Sequence, residues 1–309
     1  MTITSRIDQI TKIAPEYRGV FLPAPRSVKI EITANCSYRC TFCVKSLRAE
    51  NGEMDRGMYY RLLKEMRAAG VEELGVFYIG ESFTCSWLAD AIREAKEIGF
   101  PYVFLTTNGA SADPDKVRDC MEAGLDSLKF SLNFYDPQQL HDVAQVSAKM
   151  FGRAIGNLKA AKKVRDDGGY KCGLYASSIA FDGAQGKKMK SLVDEIRPFV
   201  DEHYWLPLYG MSGASKAAGW KPQPGNPGRL DAMRPPLPCW AVATEGHITH
   251  DGLLAACCFG SGIGGDLIMA DLKEVDFLTG WNSAEFQRLR QAHIDMDVRG
   301  TGCESCAAG

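Results

Sequence analysis

Six short apolar runs alternate with helical stretches over the first two thirds of the chain, and this order constrains the fold more than any other feature. VKIEIT (28–33), ELGVFYIG (73–80), YVFLTTN (102–108), SLKFSLN (127–133), KCGLYASSIAF (171–181) and HYWLPLYG (203–210) read as strands. Between them lie segments of helical period, several ending at a glycine: Gly70, Gly99 and Gly124. Strands that alternate with helices form a parallel sheet with the helices outside. Six units are too few to close the usual eight-stranded ring. Ligands of such sheets bind at the carboxyl ends of the strands. In SLKFSLN, the two-residue strand period puts Ser127, Lys129, Ser131 and Asn133 on one face.

The first strand leads straight into ITANCSYRCTFCVK, where Cys36, Cys40 and Cys43 stand as C-x3-C-x2-C. Three thiolates on one loop suit three irons of a [4Fe–4S] cluster and leave the fourth iron open, whereas most cluster proteins supply four. A zinc knuckle is the competing reading. It would need a fourth ligand nearby, and the first histidine is His141.

The cysteine loop, with Phe42 before its last cysteine, resembles that of the radical S-adenosylmethionine (radical SAM) superfamily. The resemblance implies a partial (β/α)6 barrel of α/β class. It also implies that SAM chelates the open iron and is split into methionine and a 5′-deoxyadenosyl radical. FYIGES occupies the place of the family's GGE motif, with Ile79 where the first glycine stands, followed by Gly80 and Glu81. By that resemblance Glu81 receives the methionyl amine of SAM, and Ser131 and Asn133 hydrogen-bond its ribose and carboxylate. Lys129, deeper on the same face, is expected to sit in a structural ion pair; a substrate base is the alternative.

Residues 211–238 change character, rich in Gly, Pro, Ser and Ala, and read as a linker or a loop over the barrel mouth. Beyond them stand Cys239, Gly252, Cys257, Cys303 and Cys306, written C-x12-G-x4-C…C-x2-C. EGHITHDGLLAACC reads as a hairpin turning at Asp251-Gly252, and GWNSAEFQRLRQAHI as an amphipathic helix. Four thiolates close a second cluster; zinc would suit the same four. The pattern resembles the twitch domain, the short form of the SPASM extension of radical SAM enzymes, and implies one auxiliary [4Fe–4S] cluster. The expected organisation is an N-terminal extension (1–27), a barrel (28–210), the linker (211–238) and a twitch domain (239–309).

Cys85, Cys120 and Cys172 read as packing residues. Cys258 follows a predicted ligand, at the barrel mouth on this reading, where a thiol could give a hydrogen atom to a substrate radical. His247 and His250 read as a solvated turn face. The net charge of −2 excludes the basic face a nucleic-acid partner requires. No apolar run reaches the ~20 residues a membrane span needs. Eleven cysteines without a signal segment point to the cytoplasm.

The expected activity is a dehydrogenation of a small polar molecule, a sugar or aminocyclitol, with the auxiliary cluster as electron acceptor. The resemblance extends to aminocyclitol dehydrogenases and aminoglycoside epimerases, and implies a flavodoxin- or ferredoxin-type electron donor. The alternatives are an epimerase using Cys258, a peptide-modifying enzyme, and a two-cluster electron carrier. Only 27 residues precede the first strand by this reading, too few for a leader-binding domain, which favours the small substrate.

Overall fold

The computed structural model describes residues 2–47, 51–259 and 265–308. The six expected strands are β1 Ser27–Ile30, β2 Glu73–Gly75, β3 Tyr102–Thr107, β4 Ser127–Ser131, β5 Gly173–Ile179 and β6 Glu202–Leu206. They lie side by side in the order β6-β5-β4-β3-β2-β1, and every pair is parallel. The sheet continues past β1. Strand β7, Glu245–Ile248, pairs parallel with it, Ser27 facing Glu245 and Lys29 facing His247. Strands β8 (Leu253–Ala255) and β9 (Ile268–Asp271) then follow antiparallel. The result is a curved sheet that does not close, the partial barrel expected, with a hairpin carried on its edge.

The helices begin and end where local chemistry dictates. Helix α2, Arg56–Ala69, starts at Asp55, whose carboxylate accepts from the Met58 amide, and stops at Gly70, with φ of 101°. Helix α3 is Leu88–Ile98. Helix α4, Pro114–Glu122, has Pro114 in its first turn, where no amide partner is lost. Helices α5 Pro137–Ala144, α6 Lys149–Gly168 and α7 Gly183–Ile196 complete the outer layer. Leu128 and Phe130 of β4 point outward into the core with Leu158 and Leu62, all nearly inaccessible. The alternate residues Ser127, Lys129 and Ser131 face inward and line the barrel cavity.

The N-terminal extension contains helix α1, Ile3–Thr11. Thr2 caps it, accepting from the Ser5 amide at 3.2 Å. Ile3, Arg6, Ile7 and Ile10 recur at helical spacing and line the barrel cavity. Arg6 pairs with Glu73 at the start of β2, at the amino ends of the strands.

The Gly/Pro-rich segment runs along the open side of the barrel. It includes the one-turn helix α8, Ala214–Ala217. At one end Ser215 Oγ donates to the Phe42 carbonyl at 3.1 Å, and the Trp220 ring stands 6.5 Å from Phe42. At the other, Arg229 pairs with Asp8 of α1 at 2.7 Å, and the Gly225 amide donates to the Cys306 carbonyl at 2.6 Å. Tyr209 stacks 5.2 Å from Phe259, joining the end of β6 to the segment after β8. It is a strap down the gap and more than a cover over the mouth.

The hairpin's direction corrects one expectation. Because β7 is parallel to β1 and β8 returns with Ala255 opposite His247, the chain after β8 heads toward the amino ends of the barrel strands. Cys239, which precedes helix α9 (Ala241–Thr244) and β7, lies at that end too. Cys257 and Cys258 therefore sit toward the barrel floor and not at its mouth. Helices α10 Phe277–Trp281, α11 Ala284–Ile294 and α12 Glu304–Ala308 bring the chain back. Helix α11 starts at Ser283, which caps the Phe286 amide at 3.2 Å. Among the described residues, no helix is long and apolar enough to cross a membrane.

Candidate active site

The three-cysteine loop follows β1 and is held by its backbone. The Arg39 and Thr41 amides donate to the carbonyls of Ala144 and Val143 at the end of α5, both at 2.9 Å. The Cys43 amide donates to the Cys40 carbonyl at 3.0 Å, which tightens the last turn. Tyr38 and Phe42 pack with Phe134, Leu140 and Ile179, and the three cysteines border that cluster. Asn108 points its amide at this loop, 3.0 Å from Ser37 Oγ and 3.9 Å from Cys36 Sγ. Nothing in the strand pattern of YVFLTTN signals this contact.

Gly80 lies where the loop after β2 meets the chain leaving β1. A Cβ there would stand 2.0 Å from the Thr33 carbonyl oxygen, so only glycine fits. Glu81 follows, and its carboxylate is held by donors of the protein itself, within reach of Cys36. Its carboxylate accepts from Thr107 Oγ1 at 2.9 Å, the Asn108 amide at 2.7 Å and the Phe83 amide at 3.3 Å. Its own amide donates to the Asn35 carbonyl at 2.7 Å. Glu81 is 3% exposed and is not among the residues lining the cavity. It braces the turn after β3 against the cysteine loop. Burial pushes its carboxyl upward, against the pull of the Asn108 and Thr107 donors.

Ser131 and Asn133 face the cavity together with Cys43. The Asn133 Oδ1 atom is buried and has no hydrogen-bond partner. An orphaned acceptor facing a largely apolar cavity beside the cysteine loop fits a ligand with donors to offer, as SAM has.

At the other end, Cys239, Cys257, Cys303 and Cys306 line one cavity with Phe259 and His293. His293 is 2% exposed and accepts the Cys239 amide at its Nδ1, at 3.1 Å. Among the described residues no three His, Cys, Asp or Glu side chains are drawn close enough to hold a single metal ion. The fit therefore rests on the donor set, which is four sulfurs around one void and matches an iron–sulfur cluster. Burial pushes the thiols of Cys36, Cys40, Cys239, Cys257, Cys303 and Cys306 upward, so they become thiolates only as metal displaces the protons.

Between the two ends lies a cavity of about 320 Å³. Its floor carries a buried polar chain. Lys29 Nζ donates to Glu245 Oε2 at 2.7 Å, and His247 Nε2 meets the same oxygen at 2.9 Å. Burial opposes the Glu245 charge, but Lys29 and His247 outweigh it and hold the carboxyl down to about 2. His247 is fully buried, and the His250 side chain is 10% exposed beside Glu31. The solvated turn face expected for these histidines is absent, because β7 is covered on both sides. Cys258 borders the same cavity and feels the charges of Lys29 and Glu245.

Lys129 overturns its expected ion pair. It borders the cavity half-buried, its ammonium 5.7 Å from the Tyr204 ring centroid, and among the described residues no carboxylate pairs with it. Burial, reinforced by the Lys29 and Arg6 charges, lowers its amine to about 7. Cys85, Cys120 and Cys172 are buried, 4%, 1% and 3% exposed, as expected of packing residues.

Comparison with known proteins agrees with this architecture. Residues 30–173 match the Radical SAM superfamily, and residues 239–307 an iron–sulfur cluster-binding domain, SPASM. A PqqA peptide cyclase of Methylobacterium nodulans is 30% identical over 112 residues, 36% of this chain and 29% of that protein. A GTP 3′,8-cyclase of Chlorobaculum tepidum is 28% identical over 193 residues, 58% of this chain and 56% of that protein. The chain thus spans less than two thirds of these relatives. Among solved structures, BtrN in complex with AdoMet and 2-DOIA superposes with a TM-score of 0.56 at 17% identity, covering 87% of each chain. SuiB of Streptococcus suis bound to the precursor peptide SuiA gives 0.68 at 15% identity, covering 87% of this chain and 67% of that one. At these identities the likeness is one of fold. A Radical SAM domain binds a [4Fe–4S] cluster and SAM, and a SPASM domain binds auxiliary iron–sulfur clusters.

Proposed function

This chain joins a Radical SAM domain to a SPASM-type cluster-binding domain and is a radical SAM enzyme; from that premise we propose that it dehydrogenates a small polar substrate held inside the barrel, with the auxiliary cluster as electron acceptor. On this reading residues 28–210 form the barrel, 239–309 the cluster-binding unit and 211–238 the strap between them. Cys36, Cys40 and Cys43 hold the SAM-binding cluster, and Cys239, Cys257, Cys303 and Cys306 the auxiliary one. When bound, a reduced cluster and SAM supply a 5′-deoxyadenosyl radical, which takes hydrogen from a C–H bond.

The protein's residues do the rest. Ser131 and Asn133 orient SAM by hydrogen bonds, and the Gly80 backbone passes close beneath the cysteine loop. Glu81 holds the Thr107–Asn108 turn so that Asn108 faces Cys36. Phe42 and Trp220 screen the mouth, and Tyr209 with Phe259 the open side, so that water is kept from the reacting carbon. A cytoplasmic location and a flavodoxin- or ferredoxin-type electron donor complete the reading.

The observation that carries it is the cavity. Ser131, Asn133 and Cys43 border it at one end and Cys258 at the other, and at about 320 Å³ it fits a compact molecule. A bare two-cluster electron carrier has no use for such a chamber. Cys258 also favours a second reading, because it borders the chamber opposite Ser131 and Asn133. From there a thiol could return hydrogen to the face opposite the one that lost it, which is epimerisation. The test is anaerobic reconstitution with reductant and SAM. Formation of 5′-deoxyadenosine supports the enzyme; its absence favours the carrier. A product two electrons more oxidised than its substrate supports dehydrogenation.

A further inference from the structure

The charges that line the barrel cavity are lopsided. Arg6, Lys29, Lys129 and Arg229 border it, and against them stands one acid, Glu245. Three of the four cations are already answered. Arg6 pairs with Glu73 of β2, Lys29 with Glu245 of β7, and Arg229 with Asp8 of α1 and with Asp231. Lys129 is left. The groups facing it are Arg6 from α1, Lys29 from β1, Cys258 beyond β8 and the Tyr204 ring of β6, and none is a carboxylate.

Position adds to charge. Along β4 the inward residues rise from Ser127 through Lys129 and Ser131 to Asn133, about 6.6 Å per step at ordinary strand spacing. Lys129 is thus one step below the two residues assigned to SAM. It stands above the layer of Lys29, since Lys29 is level with Gly75, Gly75 with Phe104, and Phe104 with Ser127. A molecule placed between SAM and the floor lies against the Lys129 ammonium.

We propose that Lys129 anchors an anionic group of the substrate, a carboxylate or a phosphate, and that this enzyme takes an acidic molecule in preference to a cationic aminocyclitol. A buried cation is costly unless paired. Here the pair is completed by the ligand, and a substrate ammonium in the same place would meet repulsion from Lys129, Lys29 and Arg6. With the amine lowered to about 7, anion binding near pH 7.5 draws a proton onto Lys129 from the buffer. This inference rests on the cavity being the substrate chamber. The two fail separately: no 5′-deoxyadenosine sinks the chamber reading, whereas SAM cleavage without anion binding sinks only this one.

The experiment is calorimetric titration of the cluster-loaded enzyme with SAM present, using glucuronate, inorganic phosphate and glucosamine as probes. Each is titrated at pH 7.5 in two buffers of different ionisation enthalpy. Glucuronate should bind with proton uptake, phosphate should bind as well, and glucosamine should bind more weakly. Lys129→Met should weaken anion binding by about tenfold or more, the loss of one charge-assisted hydrogen bond. Lys129→Arg should restore much of it without the proton uptake. Should Lys129→Met fail to load its clusters, Lys129→Arg, which keeps the charge and should abolish the proton uptake with glucuronate, still decides. Anion binding that is equal in both proteins, glucosamine binding as tight as glucuronate, or anion binding seen only without SAM would each overturn the proposal. The last would mean that Lys129 serves the carboxylate of SAM itself.

Discussion

Replacing Glu81 separates a brace from a ligand. In the structure its carboxylate accepts three hydrogen bonds from within the protein, two of them from main-chain amides, at a site 3% exposed. Glu81→Ala leaves the amides of Asn108 and Phe83 buried without an acceptor. A buried donor stripped of its partner costs about 1–3 kcal/mol, and the Thr107 hydroxyl adds a smaller share because it can rotate. The expected loss is about 3–5 kcal/mol, a large fraction of the ~5–15 kcal/mol that holds a domain together. Glu81→Gln keeps one acceptor oxygen but turns an NH2 group toward a donor, so its loss should be about 1–3 kcal/mol. The assay is anaerobic urea unfolding of the loaded protein, followed by far-UV circular dichroism, beside SAM affinity by equilibrium dialysis. With a slope of about 3 kcal/mol per molar urea, Glu81→Ala should move the midpoint by about 1 M or more, and Glu81→Gln by less. SAM affinity should fall only alongside this, as Asn108 loses its hold on the cysteine loop. An unmoved midpoint with SAM binding weakened by about tenfold would refute the brace and return Glu81 to direct contact with SAM.

Seven cysteines in two groups should take up about eight irons per chain, four for each cluster. Cys36→Ala, Cys40→Ala and Cys43→Ala together should leave about four and abolish SAM cleavage; zinc in the second site, or undiminished iron, would contradict the ligand assignment. Cys258→Ala should keep most of its activity if the enzyme is a dehydrogenase. Intact SAM cleavage with no product, together with solvent deuterium in the wild-type product, would instead make it an epimerase. The Glu245 carboxyl lies at about 2 in the folded protein, below the 4.5 of a free glutamate. Its stabilisation is therefore present above pH 4.5 and lost as pH falls toward 2. Glu245→Gln should flatten the acid limb of stability between those values, and an unchanged limb would show that the Lys29 pair contributes nothing there.

The sequence alone determined the features written in neighbouring residues. Cys36, Cys40 and Cys43 are close in the chain, so their spacing announces a shared site before any fold is known. The two-residue period of SLKFSLN puts Ser131, Asn133 and Lys129 on one face, because strand geometry is local. The six alternating units announce the parallel sheet for the same reason. Other features depended on partners far away in the chain. Nothing near Lys129 says that it lacks a carboxylate, since Glu73 and Glu245 are claimed by Arg6 and Lys29 from other elements. Nothing in FYIGES says that Glu81 turns toward Thr107 and Asn108, because those donors arrive with the next strand. The inward residues Ile3, Arg6, Ile7 and Ile10 that make α1 the floor of the barrel cannot be told from those of a solvated helix until Arg6 meets Glu73. Likewise Cys258 is placed at the floor by the parallel pairing of β7 with β1, more than 200 residues apart. Sequence patterns report which face a residue occupies; only the register between distant strands decides what stands opposite.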